Sequence, residues 1–126
     1  MSYKSTIDHK FNIEGTLLEE RFSGRISNAN IAMDKASGMI ETLVEADGAI
    51  VYIGGTSPLG ADYDHVFIKV FSGSVDVRFG PADTWLTIPY GLIIHGQAIT
   101  YMAIQATPTG LTTGTGTYQL IVSRTA

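Results

Sequence analysis

The chain has 126 residues, no cysteine, a net charge of −4 and only 16% charged residues. This length suits one domain, and the absence of cysteine excludes disulfides and fits folding in a reducing cytoplasm. The few basic side chains are scattered, which argues against nucleic-acid binding, and no apolar run approaches the ~20 residues that cross a bilayer. The N-terminus also lacks the apolar core of a signal peptide. We therefore expect a soluble, non-secreted protein with no nucleic-acid partner and no membrane partner.

The N-terminal segment alternates between two classes of side chain over residues 3–14. One parity consists of Tyr3, Ser5, Ile7, His9, Phe11 and Ile13. Because successive side chains of a strand point to opposite faces, the pattern predicts a strand with one buried side. Twelve extended residues span roughly 40 Å, about twice a typical strand. The segment is either a strand that crosses two sheets, an arm that reaches beyond its own domain, or an ordinary bent edge strand. We divide the chain into an arm, residues 1–14, and a sandwich domain, residues 15–126.

Two less regular stretches follow. Gly15 interrupts the alternation, and residues 16–27 give a weaker strand pattern that includes Leu18, Phe22 and Ile26. Residues 34–48 fit either a helix that begins at Asp34 and ends at Gly48, or a hairpin that turns at Asp47-Gly48. Gly38 would cost a helix up to ~1 kcal/mol, and the surrounding sequence is rich in strands, so we favour the hairpin.

Residues 66–79 carry the clearest local pattern. Two apolar-alternating runs flank Ser72-Gly73, which predicts a hairpin with a two-residue turn. In that register the partners are Val66 with Phe79, Ile68 with Val77, Val70 with Val75, Lys69 with Asp76, and Phe67 with Arg78. One face is then fully apolar and the other carries an ion pair and a cation–aromatic pair.

Short strands continue to the C-terminus. They are predicted at Thr84–Ile88, Leu92–His95, Ile99–Ala106 and Tyr118–Val122, with a Thr- and Gly-rich loop before the last. Many short strands between Gly, Pro, Asp and Ser turns indicate an all-β fold, an antiparallel β-sandwich or jelly roll with at most one short helix.

The sequence contains no recognisable catalytic or metal motif. His9, His65 and His95 lie far apart, so neither a His-x-His nor a His-Glu-x-x-His motif is present, and the sequence offers no argument that the three converge. Asp62 and Asp64 could contribute to a calcium site, but ordinary turn chemistry explains them better. Glu19-Glu20 point to opposite faces of any strand, and no Gly-x-Ser-x-Gly motif occurs. We predict no enzyme, no cofactor and no metal site.

Aromatic residues pose a separate question. Trp85, Tyr90, Tyr52 and Tyr63 could together form a sugar-stacking platform, as in a carbohydrate-binding module or adhesin. Packing in the core or in a subunit interface is the better explanation, because interfaces are also enriched in aromatic residues.

The later part of the chain carries a resemblance. The stretches Val51–Gly55, Val66–Gly80 and Gly96–Tyr101 resemble small structural proteins of tailed bacteriophages, the β-sandwich decoration or cement proteins of the capsid. The resemblance covers about three-fifths of the chain. It implies a jelly roll on the capsid lattice of the virion, usually a homotrimer, that clamps neighbouring subunits of the major capsid protein. It implies no catalytic residues.

The arm suits such a role, because an extended segment can add a strand to a partner's sheet. The predicted partner-interface residues are Tyr3, Ile7, His9, Phe11, Ile13, Trp85 and Tyr90. A tail- or fibre-associated β-sandwich of the same virion is the alternative location, and a carbohydrate-binding module is the alternative function.

Overall fold

A computed structural model describes residues 3–14, 21–55 and 57–126, with side chains for all of these except residues 11–14 and 21–24. Nine strands follow one another: β1 (Tyr3–Glu14), β2 (Arg21–Val44), β3 (Ile50–Ile53), β4 (Tyr63–Gly73), β5 (Val75–Arg78), β6 (Leu86–Ile88), β7 (Gly91–Ile99), β8 (Met102–Ala106) and β9 (Thr115–Thr125). One 3₁₀ turn, Glu45–Asp47, is the only helical element in these ranges. Gly15, Leu18, Glu19 and Glu20 lie outside the described residues.

The strands form two antiparallel sheets packed face to face. Sheet I has the order β1-β2-β9-β4-β7, and sheet II has the order β3-β8-β5-β6. Apolar residues alternate along the strands, so each sheet contributes one apolar side to a shared core. The buried side chains between the sheets include Leu43, Tyr52, Ile53, Val66, Ile68, Val75, Val77, Met102, Ile104, Tyr118, Leu120 and Val122. The predicted all-β sandwich is confirmed. None of the helices in the described part of the chain is long and apolar enough to cross a membrane.

β1 and the first half of β2 form a two-stranded ribbon. Tyr3 pairs with Met33 and Glu14 with Arg21, whereas the second half of β2 pairs with β9. The register shifts between Ser5 and Ile7 and again between Met33 and Lys35, and Asn30 has a positive φ of 57°. Such irregularities bend paired strands. The predicted strand over residues 3–14 is confirmed, but its predicted buried side is wrong, because the side chains of residues 3–10 are exposed or half-buried. The division of the chain at residue 14 stays a prediction.

The predicted hairpin at residues 66–79 is wrong. β4 pairs with β7 and β9 in sheet I, and β5 pairs with β6 and β8 in sheet II. The chain crosses from one sheet to the other at Gly73, which has a φ of +69° and lies so near Thr115 that a Cβ would come within 1.9 Å of its carbonyl oxygen. The apolar sides of both strands are buried as expected, but they face each other across the core instead of lying side by side.

Residues 34–48 form neither a helix nor the first part of a hairpin. Residues 34–44 continue β2 in sheet I, and β3 belongs to sheet II. Between them the 3₁₀ turn is closed by the Asp47 carboxylate, which accepts a hydrogen bond from the Val44 amide at 2.9 Å, and Gly48 follows with a φ of +69°. The strand character that we favoured is present, but the turn again connects the two sheets.

Candidate functional site

The outer face of sheet I, the side turned away from sheet II, carries two ordered rows of side chains. The pairing of β2, β9, β4 and β7 aligns one row, the histidine row, which consists of Ala36, Ser123, His65 and His95. It aligns the neighbouring apolar row, which consists of Gly38, Ile121, Phe67 and Ile93. Residues that alternate with these, such as Val66 and Leu120, point into the core. The inner side of sheet I is therefore buried in the core, and its outer side is largely apolar as well.

The ribbon lies over this outer face and leaves a groove beneath it. One part of the groove, about 420 Å³, lies between residues 4–9 of β1 and the side chains of His65, Phe67 and Ser123. An adjoining part of about 700 Å³ is lined by Ile7 and His9 together with strand residues that include His95. The ribbon therefore covers the histidine row.

His65 and His95 form a cross-strand pair in this groove. Their ring centres are 4.5 Å apart with an angle of 63° between the ring planes. His65 is buried, with 6% of its surface exposed. The Nε2 atom of His65 and the Nδ1 atom of His95 are both buried and have no hydrogen-bond partner among the side chains that the structure describes. Unpaired buried polar atoms are uncommon in folded proteins, so this pair needs an explanation.

Each ring is held by a polar side chain at its other nitrogen. His65 Nδ1 lies 2.7 Å from Asp64 Oδ1, and because a carboxylate can only accept, Nδ1 carries the hydrogen. In neutral His65 the unpartnered Nε2 then has a free lone pair. His95 Nε2 lies 3.2 Å from the amide nitrogen of Asn28, which ties the ribbon to β7.

The Asp64 carboxylate accepts two hydrogen bonds and favours its ionised form. Burial alone would raise its pKa, but hydrogen bonds from the His65 ring and the Thr125 amide outweigh burial and lower the pKa below its ordinary value. The Thr125 amide donates to Oδ1 at 2.9 Å. Asp64 is therefore ionised at neutral pH and orients the His65 ring.

The Asp64–His65 pair resembles two members of a Ser-His-Asp triad, and Ser123 is the hydroxyl-bearing neighbour of His65 in the histidine row. However, His65 Nε2 makes no hydrogen bond to Ser123, so it does not take a proton from that hydroxyl in this arrangement. Ser123 is also buried, with 8% of its surface exposed. The geometry does not activate this serine as a nucleophile.

The predicted interface residues of the arm occupy different surroundings. Tyr3 and His9 are exposed, and Ile7 is half-buried against the groove. Phe11 and Ile13 are paired within β1, but their side chains lie outside the described residues. The structure brings all three histidines to one groove, a convergence that their spacing in the sequence did not indicate. The cross-strand neighbours could be found only once the order of strands in sheet I was known.

The four aromatic residues do not share a surface. Tyr52 and Tyr63 are buried, so the four-residue stacking platform is not formed. Tyr90 is 84% exposed. Trp85 is half-buried beneath the Arg78 guanidinium, whose carbon lies 4.4 Å from the ring centre, so one face of the indole is occupied. Arg78 therefore stacks on Trp85 and not on Phe67, the partner predicted from the hairpin.

The acidic residues before β4 and on β5 have structural roles. Asp64 orients His65, and Asp62 is exposed with a φ of 67°. Asp76, predicted to face Lys69, is buried and accepts hydrogen bonds from Thr87 at 3.0 Å and Thr107 at 2.7 Å. Among the described residues, no group of three or more His, Cys, Asp or Glu side chains is arranged for a metal ion.

Comparison with known proteins places the chain in no group, since no family model and no curated protein matches it.

Proposed function

We propose that the protein is a non-enzymatic structural protein of a bacteriophage virion. In this proposal it forms a homotrimer on the capsid surface and stabilises the shell by bridging subunits of the major capsid protein. The observation that carries the proposal is the apolar outer face of sheet I, the face turned away from sheet II. The resemblance of residues 51–101 to capsid decoration proteins supplies the class of assembly.

Several side chains of the apolar row and of its surroundings are exposed. Ile121 is 40% exposed and Ile93 41%, and Ile26 of the ribbon above them is 52% exposed. Ile40, on the adjoining part of β2, is 64% exposed. Contiguous exposed apolar side chains on a sheet face are typical of protein–protein contact surfaces. The ribbon covers part of this surface, and a neighbouring subunit can bury the rest.

The two edge strands of sheet I offer contacts that can join copies of the chain into a ring. β1 is the last strand on one side and β7 on the other, among the strands that the structure describes. Edge strands pair readily with a strand of another chain. Contact between two different edges is heterologous, and such a contact closes a ring when the rotation between copies permits. We take the number three from the resemblance to decoration proteins.

The oligomer is tested by light scattering on the purified protein. A trimer has three times the 13.5 kDa mass of the chain. Replacing both Ile93 and Ile121 by Thr should shift the mass toward that of one chain, because burial of the apolar row is lost. The matched control is Leu111→Thr, since Leu111 is 75% exposed but lies on the loop before β9. A wild-type protein that stays a single chain at all concentrations would contradict the trimer.

The capsid role is tested by co-sedimentation with expanded capsids of the phage that encodes the chain. Wild-type protein should bind in hundreds of copies per particle, whereas a tail-associated protein is present in a few dozen at most. Removing residues 1–31 deletes the ribbon but none of the buried core residues named above. The truncated protein should fold and fail to bind. Unchanged capsid binding by the truncated protein would exclude the ribbon as the contact.

A further inference from the structure

We infer that the groove beneath the ribbon binds an anionic amphiphile with a single hydrocarbon chain, such as a fatty acid. In the complex the hydrocarbon chain lies between the ribbon and sheet I, and the carboxylate meets Lys69 at one end of the groove. This ligand site goes beyond the structural role proposed above and does not depend on it.

The walls of the larger part of the groove, about 700 Å³, consist mainly of hydrocarbon. Ile7 and Ile26 line it from the ribbon, and Phe67, Leu92 and Ile93 line it from sheet I. Ligand sites in proteins typically measure about 300–1,000 Å³ and combine mostly apolar walls with a few polar groups. The groove therefore has the size and the wall chemistry of a site for a hydrocarbon chain.

The groove runs along β4 and β7. The pairs that line it, in order along the two strands, are His65 with His95, Phe67 with Ile93, and Lys69 with Gly91. The first and last pairs are four residues apart, which is roughly 13 Å along a strand. The histidines thus lie at one end, apolar side chains in the middle and a lysine at the other end. This long shape with one charged end matches a chain ligand better than a compact one.

The charge of the groove favours an anion. Among the described residues that line the larger part, Lys69 is the one permanently charged side chain, and none is acidic. In the adjoining part the acid is Asp8, whose carboxylate accepts two hydrogen bonds from Arg25 at 2.7 and 2.9 Å. Lys69 is exposed, and its ammonium group lies 5.2 Å from the ring centre of Phe71, a contact that leaves its hydrogens available to an acceptor. A cation at the end of hydrocarbon walls complements a carboxylate on a hydrocarbon chain.

Tyr90 adds a second donor at the same end of the groove. It directly precedes Gly91, the partner of Lys69, and it lines the groove although 84% of its surface is exposed. Its hydroxyl can donate to one carboxylate oxygen while Lys69 donates to the other. Gly91 has no side chain to fill the space beside Lys69. Lys69 and Tyr90 together therefore form the site for the head group.

The inference is tested by calorimetric titration of the full-length protein with octanoate, decanoate and dodecanoate, each below the concentration at which it forms micelles. Because Ile93 also belongs to the apolar row, the protein is kept dilute enough that light scattering finds single chains. We expect one ligand per chain, and binding that tightens roughly fourfold for each added CH₂ group that leaves water. Dodecyltrimethylammonium has the same chain as dodecanoate but a cationic head group, and it should bind about tenfold more weakly or worse.

Variants of the head-group site give a second test. Lys69→Met keeps most of the hydrocarbon of the side chain and removes its charge, so it should weaken dodecanoate binding by about tenfold and abolish the preference over the cationic ligand. Tyr90→Phe should weaken binding by about threefold. The matched control is Lys10→Met, since Lys10 is an exposed ribbon residue outside the lining of the groove, and its binding should equal that of the wild type.

Nuclear magnetic resonance of the unchanged protein locates the ligand. Dodecanoate should shift the methyl signals of Ile7, Ile26 and Ile93, and leave those of Ile40, which is exposed on the adjoining part of β2. The inference is overturned if the wild type binds no dodecanoate at millimolar concentration, if the cationic ligand binds as tightly, if Lys69→Met binds as the wild type does, or if Ile40 shifts and Ile7 does not. None of these measurements involves the trimer or the capsid, so their outcome is separate from that of the proposed function.

Discussion

Tyr52 and Tyr118 form a hydrogen-bonded hydroxyl pair inside the core. Tyr118 is fully buried and Tyr52 nearly so, and their rings pack edge to face with centres 6.3 Å apart. Burial raises the pKa of both hydroxyls; the mutual hydrogen bond adds to the rise at Tyr118 and opposes it at Tyr52. Because the folded pKa values lie above the unfolded value of about 10, the stabilisation is complete below pH 10 and is lost as the pH rises further.

This pair predicts a loss of stability in alkali. Above about pH 10 the free energy of unfolding should fall by up to about 1.4 kcal/mol per pH unit for each of the two tyrosines. The double variant Tyr52→Phe with Tyr118→Phe should flatten this decline, because both partners of the hydrogen bond are removed together and neither is left unpaired. Urea unfolding between pH 8 and pH 11 measures the profile.

One control variant and one further tyrosine must be considered in this measurement. Tyr90→Phe alters an exposed tyrosine and should leave the profile of the wild type. Burial also raises the pKa of Tyr63, so a smaller decline should remain in the double variant. A double variant that loses stability as steeply as the wild type would show that the pair does not control alkaline unfolding.

Gly73 carries the crossing from β4 in sheet I to β5 in sheet II. We predict that Gly73→Ala lowers the free energy of unfolding by about 3 kcal/mol or more, because the new Cβ meets the Thr115 carbonyl and the positive φ is strained. Gly48→Ala is the control for backbone strain alone: its φ is also +69°, but nothing lies within 4 Å of the added Cβ, so a smaller loss of about 1–3 kcal/mol is expected. Equal losses in urea unfolding would show that backbone strain alone matters at Gly73.

The same crossing shows what the sequence could predict at the level of elements. Alternation in residues 66–79 identified the buried residues Val66, Ile68, Val75 and Val77, and all four lie in the core. It could not identify their hydrogen-bond partners, because a hairpin and a crossing between sheets bury the same parity of side chains. Ser72-Gly73 is compatible with both, and the choice depends on Thr115, more than forty residues away.

At the scale of the whole molecule, the groove that His9, His65 and His95 share could not be predicted from the sequence, for a related reason. His65 and His95 are separated by β5 and β6 in the chain, and they meet only because β4 and β7 are neighbours in sheet I. His9 reaches the groove only because the ribbon bends over the outer face. The sequence predicted most of the strands but not the single long β2, and neither the order of strands nor the bend follows from side-chain alternation.

We expect that the molecule does not unfold as a single cooperative unit. β9 has paired neighbours on both sides, whereas β1 pairs with β2 alone and the described ribbon side chains are mostly exposed. Hydrogen exchange should therefore be slowest in β4 and β9, and about a hundredfold or more faster in residues 4–10 and 25–31, a difference of about 2.8 kcal/mol. The experiment is done on dilute protein, at a concentration where light scattering finds single chains.

Raising the concentration then separates two explanations of the ribbon. If the trimer forms through β1 and the apolar row, the ribbon amides should become protected as the chains associate, while β4 and β9 change little, because partner strands supply the missing hydrogen bonds and cover the exposed apolar side chains. Ribbon amides that are as slow as β9 in the dilute protein would mean that the ribbon belongs to the same cooperative unit as the core, and the proposal that it is an arm for a neighbouring subunit would then lose its physical basis.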